Sequence, residues 1–310
     1  MFHHFHDDKL HKQGQGSIDK DDFYELIKFI GRENILDAEE FFNRFKENKL
    51  KPKDVCFTFD DGIRCQYDVA LPVLEDLKIK SFFFVYSSIF KESSNLLEVY
   101  RYFRMNYFTN INHFYDQFFK ILDKDLSIFF KSKTKIINNN KIKFPHYSIN
   151  DIKFRLVRDK LLNNDEYHNV MFKMFNEKEF NFKNYYEILF LNSKHLKKMK
   201  ELGHLIGLHS HSHPHSLETL SYDEQLNEYQ NNISIISKIL DKSQNEIKWM
   251  SHPTGSYNHN TLQILKELGI ELGFKQIMTI EPEKGMKKIN NSFLEIARQD
   301  HAVIIIMMNK

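Results

Sequence analysis

An α/β architecture built on a parallel sheet is the fold this sequence predicts, and three observations carry it. Short β-rich runs without polar alternation recur along the chain, as strands buried on both faces do. Helical stretches with one apolar face separate them, in the order strand, helix, strand. Polar turn residues stop several of these runs at the end where α/β folds place their active sites. The rhythm suits a barrel or an open sheet.

Residues 17–50 read as two short helices. Ser17 or Asp19 can cap the first, whose apolar stripe is Phe23, Leu26, Ile27 and Ile30, and Gly31 ends it. Asp37 caps the second, with Phe41, Phe42 and Phe45 on one face. Val55-Cys56-Phe57-Thr58-Phe59 is the first strand, halted by Asp60-Asp61-Gly62. A helix follows over about 68–77 and a second strand over 81–86. The pattern resumes with a helix over 194–202 and a strand over 203–208. A long helix covers about 223–240, where Ser221 and Glu224 have capping-box spacing. A short strand at 248–250, a helix over 261–268 ended by Gly269, and a strand over 270–274 complete the series.

Residues 93–192 interrupt the rhythm. They are rich in Phe, Tyr, Asn and Lys, with helical runs over 96–107 and 114–122, and Asn138-Asn139-Asn140 reads as a loop. No Pro-, Gly- or Ser-rich linker marks a free-standing domain. The expected organisation is a main α/β part of residues 1–92 and 193–310, carrying an inserted, aromatic-rich helical subdomain over 93–192.

With 310 residues, 41% hydrophobic and 28% charged, the chain can bury a substantial core as a soluble globule. Lys and Arg number 44 against 42 Asp and Glu, and so mild an excess excludes the basic field of a dedicated nucleic-acid binder. Cys56 and Cys65 are too few for a disulfide framework or a Cys-based zinc site. Met1-Phe2-His3-His4-Phe5-His6 lacks the features of a secretory signal, and the late apolar run 302–308 falls far short of the roughly 20 residues of a membrane span. The expectation is a cytoplasmic protein without a membrane span, with homo-oligomerisation left open.

Three stretches carry chemistry. Phe57-Thr58-Phe59-Asp60-Asp61-Gly62 sets two adjacent carboxylates at a strand end, where they repel unless a cation or proton offsets them. Asp-Asp-Gly is also ordinary turn chemistry. His209-Ser210-His211-Ser212-His213-Pro214-His215 follows another strand, and two neutral imidazoles four residues apart can converge on one divalent ion. An Asp from another strand would complete that set. In a chain with 16 His such a loop can also bind metal adventitiously. The third stretch, Ser251-His252-Pro253-Thr254-Gly255-Ser256-Tyr257-Asn258, reads by itself as a turn.

Together, in this order and each at a strand end, the three stretches resemble the polysaccharide deacetylase family of carbohydrate esterases, also called the NodB-homology domain. Thr58-Phe59-Asp60-Asp61-Gly62 matches its first motif letter for letter, and His209-Ser210-His211-Ser212-His213 its second, with Gly207 and Pro214 where members often carry them. Ser251-His252-Pro253-Thr254-Gly255 is a degenerate third motif with Ser251 in place of an Arg. The resemblance covers residues 1 to about 90 and 195–300. It implies a distorted (β/α) barrel and metal-assisted amide hydrolysis. Carried over residue by residue, Asp61, His209 and His213 are the metal ligands and Asp60 the general base. The backbone N–H of Thr254 becomes an oxyanion donor, and Tyr257 in the same stretch a further substrate-binding candidate. Zinc is the default ion from ligand softness, although cobalt, nickel, iron or manganese also suit an Asp-His-His set.

Two departures matter. The family's Leu-x-His motif, whose His protonates the leaving amine, is missing after Gly273. Members acting on poly-N-acetylglucosamine look circularly permuted and carry that His near the N-terminus in a Tyr-His context. Met1-Phe2-His3-His4-Phe5 resembles that segment, which makes His3 the general-acid candidate, with His4 and His6 as rivals. The Arg that orients the base is also missing from the third motif. Arg298, in Ile296-Ala297-Arg298-Gln299-Asp300, resembles the late Arg of the permuted members.

The expected activity is removal of an N-acyl group, acetyl or formyl, from an amino sugar. By analogy alone the substrate is a nucleotide- or lipid-linked precursor of surface polysaccharide, in lipopolysaccharide or capsule synthesis. Competing readings are an amidohydrolase-type metal enzyme using His4-x-His6, a non-catalytic sugar-binding relative, and a His-rich metal binder. The long chain between Asp61 and His209 holds the aromatic insertion, read as a cap over the barrel mouth or a dimer surface. Cys65, Gln66 and Tyr67 are candidates to line the site, while His113, His146, His168 and His259 read as surface residues.

Overall fold

The computed structural model describes residues 1–7, 9–14, 16–91, 96–143, 147–278, 290 and 292–308. The chain divides into two compact units, Met1–Asn95 with Glu187–Lys310, and Leu96–Tyr186.

The first unit is built on five parallel strands in chain order: β1 (Thr58–Phe59), β2 (Phe82–Val85), β3 (Leu205–Leu208), β4 (Trp249–Ser251) and β5 (Leu272–Phe274). Registers such as Thr58↔Phe82, Phe82↔Leu205, Leu208↔Met250 and Met250↔Gly273 run through the sheet. The helices α1 (Lys20–Ile30), α2 (Ala38–Lys46) and α3 (Leu71–Asp76) belong to its N-terminal half. In the second unit lie α4 (Leu97–Asn106), α5 (Ile111–Leu122), α6 (Ser127–Ser132), α7 (Thr134–Lys143), α8 (Ile149–Lys160) and α9 (Asn164–Glu177). The chain continues through α10 (Tyr186–Leu189), α11 (Ser193–Glu201), α12 (Tyr222–Ile239), α13 (His259–Glu267) and α14 (His301–Met308).

The sheet is curled. Phe84 on β2 and Phe274 on β5 have ring centres 5.5 Å apart. Three strand spacings of a flat sheet would hold their strands about 14 Å apart. Phe82, Phe84, Leu272 and Phe274 fill the interior with Leu36, Ala38 and Phe41, the last two from α2. Phe59 and Phe83 point the other way, stacked at 4.5 Å, and Phe2 and Phe23 pack onto Phe59.

Both outer strands find partners in short extended segments. Phe2 bridges Phe59, with its N–H on the Thr58 carbonyl at 2.9 Å, and the Asp60 N–H reaches Phe2 O at 3.1 Å. At the other edge Ile296 bridges Phe274. The Met1 nitrogen then donates to Gln299 O at 2.9 Å and the His301 N–H to Met1 O at 3.1 Å. Hydrogen bonds therefore run round the unit and join its two edges, which leaves no long unpaired strand among the described residues. The distorted barrel expected from the resemblance is the fold.

Some elements depart from expectation. The first strand shrinks to two residues because Val55 pairs with the α1–α2 connection, through Leu36 N–H to Val55 O at 2.8 Å and Val55 N–H to Asn34 O at 2.9 Å. The following helix begins with a π-helical stretch at Gln66–Ala70, the kind of local unwinding that recurs beside functional sites. Asn138-Asn139-Asn140 is not a loop but the middle of α7. Ile137 packs there against Ile152 and Leu156, and that burial outweighs the weak helix propensity of Asn. The second unit has an aromatic core in which Phe103 and Phe175 meet edge-on at 4.7 Å. His113 and His259 are exposed, whereas His168 is half-buried and bonded to the Tyr100 hydroxyl; His146 lies outside the described residues.

Candidate active site

The loops after β1, β3 and β4 leave the C-terminal ends of three parallel strands and so open on the same end of the barrel. The loop after β1 needs unusual backbone: Asp61 has φ 77° and Gly62 φ 64°. A Cβ on Gly62 would lie 2.8 Å from Val85 Cγ1, so the turn that aims Asp61 requires glycine. Gly207 matters for a different reason. A Cβ there would lie 2.5 Å from the Trp249 carbonyl, and its absence lets β3 approach β4 closely. This brings His209 against Ser251.

Asp61, His209 and His213 converge. The Nε2 atoms of His209 and His213 lie 3.2 and 3.3 Å from the same oxygen, Asp61 Oδ1. One ligand atom from each lies within 4.8 Å of the others, and among the described residues this is the one such cluster. The side chains are 11%, 2% and 7% exposed. Burial pushes the Asp61 carboxyl up, but hydrogen bonding with His209 and His213 outweighs it and holds the group well below the ordinary carboxylate range. For His213, burial pushes down and Asp61 more than reverses it, so its pKa is raised.

His209 Nδ1 lies 2.9 Å from the Ser251 carbonyl and 2.7 Å from its hydroxyl. A carbonyl can only accept, so Nδ1 carries the proton and a neutral ring turns its unshared pair at Nε2 toward Asp61. Two lone-pair donors at 3.2 Å need a proton or a metal cation between them: a proton on Nε2 gives the hydrogen bond that lowers the Asp61 pKa, and a divalent ion can take its place. One carboxylate and two imidazoles, one locked in its ligating tautomer, form a donor set that fits a divalent ion.

Asp60 is 3% exposed and gripped by Arg298, which donates from Nη1 to Oδ1 at 2.8 Å and from Nη2 to Oδ2 at 2.7 Å. Arg298 is also tied to Lys275 O at 2.8 Å and Thr58 Oγ1 at 3.2 Å. Burial raises the Asp60 pKa, but the charge of Arg298 overrides it, with His209 and His3 helping, and the group sits at about 2. His3 Nε2 lies 4.0 Å from Asp60 Oδ2, with 24% of its side chain exposed. His6 is buried and bonded to Ser17 Oγ at 3.1 Å, and the His4 ring stacks beside His3. Neither joins the Asp61 cluster.

The remaining candidates have other surroundings. Thr254 is exposed at φ 53°, its hydroxyl donating to His215 O at 2.9 Å. Tyr257 is fully buried, stacked on His252 at 4.2 Å, with its hydroxyl on Glu295 at 3.1 Å. It offers no surface to a substrate. Cys65 is buried and its Sγ accepts from the Phe5 N–H at 3.3 Å, while Tyr67 packs on His195 at 4.5 Å.

Sequence reasoning named Gln66 as a residue lining the site but not the support it gives, and it missed Asn232 altogether. Gln66, fully buried, donates from Nε2 to the carbonyls of His3 at 3.0 Å and Asp60 at 2.6 Å, joining the two segments. Asn232 on α12 accepts from the His209 N–H at 2.9 Å and donates to Val85 O at 3.0 Å. A polar side chain inside the buried Gln225-Tyr229-Asn232-Ile233-Ile236 stripe was the available signal.

The family model described as "Polysaccharide deacetylase" matches residues 47–107 and 159–273, more than half of the chain. Among curated proteins no match is found. Among solved structures, the chain is similar to the Streptococcus pyogenes deacetylase PplD in complex with acetate, at 18% identity and TM-score 0.54, covering 99% of this chain and 94% of that one. IcaB from Ammonifex degensii is similar at 12% identity and TM-score 0.54, with 99% and 93% covered. A de-N-acetylase from Aggregatibacter actinomycetemcomitans gives 12%, 0.54, and 96% and 92%. At these identities the structural likeness speaks for the fold, and the family match carries the assignment. With intact Asp-Asp and His-x-x-x-His stretches on that fold, the chain belongs to the polysaccharide deacetylase family.

Proposed function

We propose that this chain is a divalent-metal-dependent hydrolase that removes an N-acyl group, acetyl or formyl, from an amino sugar. The convergence of Asp61, His209 and His213 beside a buried Asp60 carries the reading. The names of two similar structures, a deacetylase with acetate and a de-N-acetylase, support acetyl as the leaving acyl. Asp61, His209 and His213 would hold the ion, zinc by default. When bound, such an ion acidifies a water and polarises the amide carbonyl.

The chain's own groups supply the rest. Asp60 stays ionised at any working pH, and Arg298 on both its oxygens fixes where it points. A carboxylate at about 2 is a weak base, so in its role as general base Asp60 takes only an already acidified proton. His3, near Asp60 and open to solvent, is the group that hands a proton to the leaving amine. In this reading the N-terminal segment stands where the permuted members carry their general acid, and Arg298 replaces the Arg missing at Ser251. The backbone N–H of Thr254 remains the oxyanion donor carried over from the family. The substrate is an amino sugar in a nucleotide- or lipid-linked precursor of surface polysaccharide.

Metal content per chain in wild type and Asp61→Ala, followed by acyl release from N-acyl sugar nucleotides, lipid-linked sugars and polymer, tests the reading. About one ion per chain, lost in the variant, is expected from a single three-ligand site. No ion, or several indifferent to Asp61, would refute it. Release from polymer alone would refute the precursor substrate.

A further inference from the structure

The turn that carries His209 and His213 is held by a helix that contributes nothing to the ligand set. Glu228 on α12 accepts the His211 N–H at 2.9 Å and the Ser212 N–H at 2.8 Å on Oε2, and the Ser212 hydroxyl at 2.7 Å on Oε1. One helical turn later, Asn232 fixes the His209 N–H. From the opposite side the Ser87 and Ser88 N–H groups reach the carbonyls of Ser210 and His211, at 3.4 and 2.9 Å.

The turn needs that grip. Ser210 and His213 both adopt left-handed backbone, φ 62° and 55°, which costs free energy for any side chain beyond glycine. Consecutive N–H groups after a left-handed residue form a concave pair of donors that favours an anion, and the Glu228 carboxylate fills it. Without it, Ser210 and His213 can relax to negative φ and His213 Nε2 swings off the oxygen it shares with His209. We infer that Glu228, by reach rather than by charge, is the positioning residue that keeps His213 in register with His209 and Asp61. The inference rests on the metal-site reading above.

Two conservative variants separate reach from charge. Glu228→Asp keeps the charge and loses one methylene, too short to span the turn. Glu228→Gln keeps the length: its amide oxygen can accept both N–H groups and its NH2 can donate to Ser212 Oγ. Zinc affinity by chelator competition, and exchange of the His211 and Ser212 amides in metal-free protein, are the readouts. Glu228→Asp is expected to weaken zinc about 10–100-fold and Glu228→Gln less than about threefold, on the scale of lost outer-shell partners. The two amides should exchange slowly in wild type and Glu228→Gln, and fast in Glu228→Asp. The reverse order, or a Glu228→Asp protein that is merely less heat-stable with affinity and exchange unchanged, would overturn the inference. Wild type that binds no zinc would sink the metal reading instead, and the exchange pattern would still decide whether Glu228 holds the turn.

Discussion

Replacing Arg298 by Met tests how Asp60 is held. Met keeps much of the side-chain volume and removes every N–H donor. Asp60 and Arg298 have side chains only 3% and 4% exposed, and the two bonds at 2.7 and 2.8 Å meet both carboxylate oxygens. In Arg298→Met the carboxylate stays in the same dry setting without its cation. Breaking one side of a buried pair costs about 3–5 kcal/mol. Loss of the bonds to Lys275 O and Thr58 Oγ1 adds to this. The double variant Arg298→Met/Asp60→Asn removes both charges and should recover at least about 1–2 kcal/mol of that loss, because contacting partners couple by amounts of this order. The assay is urea unfolding in excess chelator, so that ion binding to the folded state does not mask the difference. An Arg298→Met cost below about 1 kcal/mol, or a double variant no more stable than the single, would refute the claim that this pair sets Asp60 in place.

Two further outcomes follow from the geometry. His3→Gln should lower kcat by about 10²–10⁴ while metal content stays at wild-type level, the size of loss expected for a general acid; full activity in His3→Gln with loss in His4→Gln would move the role to His4. The other concerns stability rather than chemistry, at the N-terminal end of β3. His204 Nδ1 accepts the Ser81 N–H at 3.1 Å, so its proton sits on Nε2, 3.1 Å from Glu75. Burial is the largest influence on this ring, and against the pull of Glu75 it lowers the pKa from 6.5 to about 4. The folded pKa lies below the unfolded one, so this contribution is complete above pH 6.5 and is lost as pH falls toward 4. The loss is about 3 kcal/mol at most. Urea midpoints for wild type should therefore fall more steeply over that window than for His204→Asn, and parallel slopes would exclude the site.

Some of the molecule was legible because its causes are local. A strand buried on both faces must be a run of apolar residues, so Phe82–Val85 and Leu205–Leu208 announce themselves. The polar residues that end such runs fall at the strands' C-terminal ends, which is why Asp60, Asp61 and His209 could be singled out by position. The capping box of Ser221 and Glu224, likewise, is a matter of three residues' separation. Asn138 to Asn140 misled for the complementary reason: their helix is stabilised by Ile137 against Ile152 and Leu156, contacts no local window contains.

The chemistry's supports were decided only in three dimensions. Arg298 meets Asp60 across 238 positions of chain, a pairing that residue type and a resemblance could nominate but no spacing could place. Ser251, visible in sequence only as a missing Arg, proves to be the group that sets the tautomer of His209. Sequence ranked His3 ahead of His4 and His6 only by a resemblance, whereas closing Phe2 onto β1 leaves His3 near Asp60 and turns His6 to Ser17. Glu228 and Asn232 looked like ordinary helix residues until the loop folded over them. The elements were written by the alternation of apolar runs and polar stops, whereas the orientation of each candidate site residue depends on hydrogen bonds between segments that only the closed barrel brings together.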